Sequence, residues 1–438
     1  MQMNIIRVAC QHLLIALAIT AALAMPGQSL AAVSGNVTLY GEANVSYDTI
    51  NTGTASGISS SQGITSSRLA SNSSFVGLKG SSELGSGWEA LVQAEVTLGT
   101  DTGASGCQVP DAATPTKSSR WKCFFDRNTY LGVSSTGYGT LLAGRHDTPY
   151  KMATRRLDIF AGGIADNRSL MGTTIPGGAN RVLSAGPPVV VYSNHPVTET
   201  FDARLSDLLL YTSPGFGGFS LAIGYSNLAE SNAYAGQPGI NALSLAAMYE
   251  EGPVYATIAY EDHTTSQKDS QNNDLYLTVK ATKLGLGYKL GILDLGFAYE
   301  KSRDDFGNLD PYDGDPNSVT YNPCGGLVPG ANCSGHGTLY LSAKIGFTDN
   351  DALKIAYTKA GQVGAASTDT GALQFAMGLD HDFNERTTAY FLYASLKNDQ
   401  LVRYGLSTAA SSGDNSVNPT GIGGASPSVL SFGMKHSF

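Results

Sequence analysis

Charge is scarce in this chain. Asp, Glu, Lys and Arg make up 14% of its 438 residues. A soluble sandwich of this length would carry more charge on its outer face, and no short internal repeat supports a solenoid. Long apolar runs are missing as well. After residue 31 nothing approaches the roughly 20 apolar residues that a transmembrane helix needs. Histidine and cysteine are few, 7 and 5. No Cys-x-x-Cys occurs, and no His pair stands at ligand spacing, which disfavours a metal site. There is no Gly-x-Ser-x-Gly elbow and no His-Glu-x-x-His. His146 and Asp147 are neighbours, but neighbours on an extended chain point apart, and no placed nucleophile accompanies them. His195, His263 and His336 fall in or beside loops, while His381 and His436 fall near strand ends, where an interfacial residue is expected. These gaps argue against an enzyme and against a cofactor. The net charge of −9 argues against nucleic acid, which selects a basic surface.

What the chain does have is alternation. Leu284, Leu286, Tyr288 and Leu290 alternate with Gly285, Gly287 and Lys289, and Leu293, Leu295, Phe297 and Tyr299 with Asp294, Gly296 and Ala298. Leu339, Leu341, Ala343, Ile345 and Phe347 repeat the pattern, as do Leu373, Phe375, Met377 and Leu379. Period-two segments of this kind put one face in lipid and the other in water. Sixteen such strands can be read, beginning at 37–47, 75–84 and 88–98 and ending at 429–438. Short glycine turns and long polar loops take turns between them, and the longest connection is 147–203. A face of Lys, Asp, Gln, Ser and Gly cannot form a dry core, because unpaired buried charge is costly. A closed barrel of 16 to 18 strands encloses an aqueous channel. Closure also explains how the chain can end in a half-apolar strand without leaving an open edge.

The first residues read as an export signal. Arg7 precedes an apolar run at 13–24, Pro26 and Gly27 break it, and Ser29-Leu30-Ala31 is a small-x-small cleavage site. The expected division is a signal over 1–31 and a barrel over 32–438. Cys107 and Cys123 flank one polar loop segment, and Cys324 and Cys333 another. In an oxidising compartment two local disulfides are the expected reading, with a metal site as the alternative. Two places resist the pattern. Leu208-Leu209-Leu210 breaks alternation, and the parity of Leu275, Leu277 and Val279 switches near Lys283. A bulge, or loop structure above the membrane, would account for the switch.

Several segments then resemble a known family. They are Val37-Thr38-Leu39-Tyr40-Gly41, Gly77-Leu78-Lys79-Gly80-Ser81-Ser82-Glu83-Leu84-Gly85, Gly144-Arg145-His146-Asp147-Thr148-Pro149-Tyr150, Tyr211-Thr212-Ser213-Pro214 with Phe216-Gly217-Gly218-Phe219, and Gly433-Met434-Lys435-His436-Ser437-Phe438. In this order the chain resembles the general porins of Gram-negative bacteria, the neisserial type in particular. The resemblance implies an all-β, 16-stranded antiparallel transmembrane barrel in the outer membrane. It implies a homotrimer set in outer-membrane lipid, passing small hydrophilic solutes and ions by passive diffusion. It implies a third extracellular loop folded inward, with acidic residues facing basic ones on the wall. On that pattern Asp158 and Asp166 match the acidic loop tip, and Arg145 and Arg204 the wall. Where the family often has arginine this chain has Phe75, so Arg68 or Lys79 would supply wall charge there. Arg155, Arg156 and Arg168 add positive charge to the loop. Phe438 would be the residue read by the barrel assembly machinery. A substrate-selective channel, for example one preferring anions, and a surface adhesin or antigen are the alternatives.

Overall fold

The computed structural model describes residues 35–54, 63–101, 125–172, 201–227, 240–268, 274–304, 335–362, 370–400, 402, 404–406 and 424–438. The expected signal at 1–31 and all four loop cysteines, Cys107, Cys123, Cys324 and Cys333, lie outside these residues, as does His195.

The strands follow in chain order as β1 (Gly35–Asn51), β2 (Thr65–Ser71), β3 (Phe75–Gly85), β4 (Trp88–Thr97), β5 (Thr129–Ser135), β6 (Gly139–Asp147), β7 (Arg204–Thr212) and β8 (Phe219–Asn227). They continue as β9 (Ile240–Glu251), β10 (Val254–Lys268), β11 (Asp274–Leu290), β12 (Leu293–Asp304), β13 (Gly337–Gly346), β14 (Asp351–Ala360), β15 (Ala372–Asn384), β16 (Thr387–Asn398) and β17 (Ser428–Ser437). Each pairs antiparallel with its sequence neighbours, except that β2 and β3 both pair with β1. The first half of β1 takes β3 and the second half takes β2, so those two segments form one interrupted wall strand. The wall therefore has sixteen strands, as the alternation implied, built from seventeen segments. β1 also pairs with β17, which closes the cylinder. At the seam Phe438 and Gly41 exchange both backbone hydrogen bonds, each 3.1 Å.

Pairing of the first strand with the last leaves the sheet no terminal strand exposed to lipid, as a membrane environment demands. Short turns collect at the end where β1 starts and β17 stops; the long connections collect at the other. That asymmetry marks the short-turn end as periplasmic and the long-loop end as extracellular. No helix among the described residues is long and apolar enough to cross a membrane.

The outer surface is apolar. Leu39, Leu78, Leu131, Ile258, Leu286, Leu341 and Phe432 are all exposed. Such a continuous apolar surface belongs in hydrocarbon, not water. Aromatic residues gather at the short-turn end, where Trp88 stacks on Tyr138 with ring centroids 5.7 Å apart and Phe219 meets Tyr249 at 4.6 Å. His381 joins this belt, edge-on to Phe383 and bonded to Asp351 at 2.8 Å. The inward positions are polar: Asn44, Ser46, Asp48, Glu95, Ser244, Lys283, Glu300, Ser342, Gln374 and Ser431.

Both irregular places find an explanation. Leu208 and Leu210 turn inward and pack with Leu142 and with Met152 of the loop that enters the barrel. The interior is apolar there because that loop roots on it. At Lys283 there is no bulge, since the β10–β11 ladder runs from Val254 opposite Tyr288 to Lys268 opposite Asp274 without a register shift. β11 simply continues as regular strand past the point where the apolar pattern changes parity.

Candidate functional site: the constricted pore

The connection between β6 and β7 folds into the barrel. It opens with a short helix, α1 (Pro149–Arg155). Thr148 caps it by accepting from the Lys151 N–H, and proline at the first turn has no N–H to leave unsatisfied. The segment then runs around the inner wall from β8 towards β15. Tyr150 N–H donates to Ser244 Oγ at 2.9 Å, and the Tyr150 hydroxyl donates to Glu300 at 2.8 Å. Tyr255 donates to the Ala153 carbonyl, and Ser342 to the Leu157 carbonyl. Leu157 lies against Gly285, Gly287 and Gly296, where an added Cβ would come within 2.8 to 3.0 Å of the loop. The glycines that alternate with leucine in β11 and β12 thus make a shallow bed for the loop. Burying Leu157 there is worth about 2 kcal/mol. Phe160 takes the same position at Gly378, with Lys354 Nζ 4.9 Å from its ring centre. The tip reaches the break between β2 and β3, where Ser73 donates to the Gly162 carbonyl at 3.0 Å. The returning limb, Phe201 and Asp202, is tied by a buried ion pair of Asp202 with Lys283, which also lies 3.3 Å from Glu300.

One side of the lumen, from β8 to β15, is therefore lined by loop. The opening lies between this loop and the wall of β1 to β7. Among the sequence-predicted residues, Arg145, Arg204, Arg68 and Lys79 belong to that uncovered wall. Arg145 donates to the Asp126 carbonyl at 2.9 Å and to Ser206 Oγ at 2.8 Å. Arg204 lies 3.0 Å from Asp147 and donates to Asn128 at 2.7 Å. Arg68 pairs with Asp48 at 3.5 Å. Lys79 sits over the Tyr40 ring, 5.2 Å from its centre.

The two acids of the loop are placed differently from the expectation. Asp158 and Asp166 do not confront Arg145 across water. They are buried, 5% and 0% exposed, on the far side of the barrel. Asp158 accepts from the Phe160 and Asn167 N–H groups and from the Tyr340 hydroxyl of β13. Asp166 accepts from Gly162 and Arg168 N–H. Arg155 bridges them, 2.7 Å from Asp166 and 3.5 Å from Asp158. A carboxylate taken from water needs such partners, and here the loop supplies its own cation. Burial and the neighbouring Asp166 push the Asp158 carboxyl up to about 7. Burial works the same way on Asp166, but Arg155 and Arg168 outweigh it and hold that carboxyl below the usual range.

Sequence reasoning missed Lys151 and Arg127. Lys151 on α1 lies 2.7 Å from Asp147, which thus sits between Lys151 and Arg204. Burial lowers the Lys151 ammonium to about 7, with Asp147 opposing the shift and Arg168 and Arg204 adding to it. Arg127, just before β5, lies 3.8 Å from Glu95 and 4.5 Å from the centre of the Phe75 ring. Neither had a motif to mark it, although Lys151 directly follows the segment that holds Arg145. Among the described residues no cluster of His, Cys, Asp and Glu is arranged to hold a metal ion. What the arrangement offers is a narrowed aqueous passage with cations on its open wall.

A profile of the family described as Gram-negative porin matches residues 14–401. An outer membrane porin protein of Bordetella pertussis is 23% identical over 365 residues, covering 78% of this chain and 81% of that protein. Among solved structures, an anion-selective porin from Comamonas acidovorans superposes with a TM-score of 0.65 at 20% identity, over 92% of this chain and all of the other. The outer membrane protein OmpT of Vibrio cholerae, in a trimer form, gives 0.56 at 14% identity, over 92% of this chain and 99% of the other. At these identities the structural likenesses speak for the fold.

Proposed function

The chain belongs to the Gram-negative porin family, as an outer-membrane channel for passive diffusion of small hydrophilic solutes, and we propose that its pore prefers anions. The observation that carries the proposal is the triad formed where the loop's helix α1 leaves the open wall. Lys151 and Arg204 share a single carboxylate, Asp147, while the acids of the inward loop are buried against Arg155. Positive charge thus borders the passage, and the two acids of the loop tip are turned away from it. Ions in a constriction feel wall charges more strongly than ions at an open surface, because less water and salt intervene. The same reading assigns Arg145, Arg68 and Lys79 to the lining of the uncovered wall, with Asp158 and Asp166 as the anchor of the loop.

Three further proposals belong with it. The channel is a homotrimer, a state that the Vibrio cholerae structure is described as having. Residues 1–31 are removed on export. Cys107 bonds to Cys123, and Cys324 to Cys333, in extracellular loops. The test of anion preference is the zero-current potential across a planar bilayer under a KCl gradient. The expected sign is that of chloride permeating faster than potassium. Arg204→Gln should move the potential towards zero. A cation-selective wild type would refute the proposal.

A further inference from the structure

Phe75 lies on the inward face of β3, two residues after Ser73, which the loop tip touches, and it is half-buried. Tyr40 stands beside it on β1, edge-on, with ring centroids 6.0 Å apart. The Tyr40 ring lies flat across Gly77, where an added Cβ would come within 2.6 Å of it, so glycine at that place lets the ring rest on the wall. The Tyr40 hydroxyl donates to Glu95 at 2.7 Å, which fixes its direction. Each ring carries a cation. Lys79 is over Tyr40, and Arg127 is over Phe75. The result is a column on the lumen wall in which cation, ring, ring and cation follow one another. Glu95, the carboxylate within it, is occupied by Arg127, Tyr40 and Gln93. Lys79 at one end is exposed although it points inward, so that end of the column meets the water of the pore.

From this column we infer that the pore favours aromatic carboxylates over aliphatic ones of equal charge. The inference rests on the reading of the chain as an anion-preferring channel and names the class of anion. A benzoate-like solute brings both complementary features. Its carboxylate is attracted to Lys79 and Arg127, and its ring can meet Phe75 or Tyr40 edge to face. A saturated ring acid brings the charge alone. Acetate and chloride have no ring to offer. A wall with only arginines would treat all four as point charges; this one adds a flat apolar surface between its cations.

The test is a set of bi-ionic zero-current potentials in planar bilayers, with KCl on one side and potassium benzoate or potassium cyclohexanecarboxylate on the other. The wild type should pass benzoate roughly threefold more readily than cyclohexanecarboxylate, the size of one weak ring–ring contact. Phe75→Leu should bring the ratio close to one. Cyclohexanecarboxylate is the thicker molecule, so the wild-type ratio includes some sieving, and the change on substitution is the decisive reading. If Phe75→Leu fails to insert, Phe75→Met removes the ring at nearly the same bulk. A wild-type ratio of one overturns the inference, and so does a ratio that survives the loss of Phe75. A chloride-conducting channel with either result would leave the pore reading intact. A chain that conducts nothing would sink both.

Discussion

Replacing Arg155 with methionine should release the inward loop without unfolding the barrel. Among the described residues Arg155 is the one cation within 4 Å of both Asp158 and Asp166, which are almost completely buried. Its loss leaves two carboxylates in the wall–loop interface with backbone donors, Tyr340 and Arg168 as their remaining partners. Removing one partner of a buried ion pair costs about 3–5 kcal/mol. Part of that is recovered when Asp158 takes up a proton, which it already does near pH 7. The penalty is therefore largest at pH 8 and smaller at pH 5.5. Even 3 kcal/mol shifts a closed–open equilibrium of the loop by roughly a hundredfold. The ladders of the wall do not depend on Arg155, so heat-modifiable migration on gels should be preserved. The assay is open-channel current noise in planar bilayers. Arg155→Met should be noisier than wild type at pH 8 and should quieten at pH 5.5. Equal noise at pH 8 would refute the view that this buried cluster holds the loop.

The Lys151 ammonium is lowered to about 7, so it is charged below that pH and neutral above it. Anion preference should accordingly fall as pH rises from 6 to 8.5, and Lys151→Met should flatten that dependence; a steep dependence in the variant would place the titration elsewhere. Phe438 closes the seam by exchanging backbone bonds with Gly41. Deleting it should lower the yield of folded, heat-modifiable barrel in the outer membrane, and an unchanged yield would count against its role in assembly. Non-reducing peptide mapping should find Cys107 linked to Cys123 and Cys324 to Cys333, whereas free thiols or crossed links would reject that pairing.

The barrel was legible because lipid imposes a strict rule on sequence. Leu293, Leu295, Phe297 and Tyr299 must face hydrocarbon, so their spacing gives strand, face and hairpin at once. Where lipid does not touch the strand the rule lapses. β2 reads Thr-Ser-Ser-Arg-Leu-Ala-Ser, with no alternating apolar face, and it was not expected as a strand. The loop between β6 and β7 was found by its length and by the motif at Arg145. Its electrostatics were not legible. Asp158 and Asp166 look like a free acidic tip in the sequence, and only the fold brings Arg155 between them and Tyr340 against them. Arg127 shows the converse. No motif marks it in the sequence, yet the β4–β5 pairing carries it onto Phe75.

Single-channel recording of the purified, refolded protein in a planar bilayer tests the central claim most directly. Stepwise, ohmic conductance increments in KCl are predicted, growing in proportion to salt at high concentration and showing no saturation, with a zero-current potential of anionic sign under a gradient. Folded barrel that inserts and yet gives no conductance steps would contradict the account.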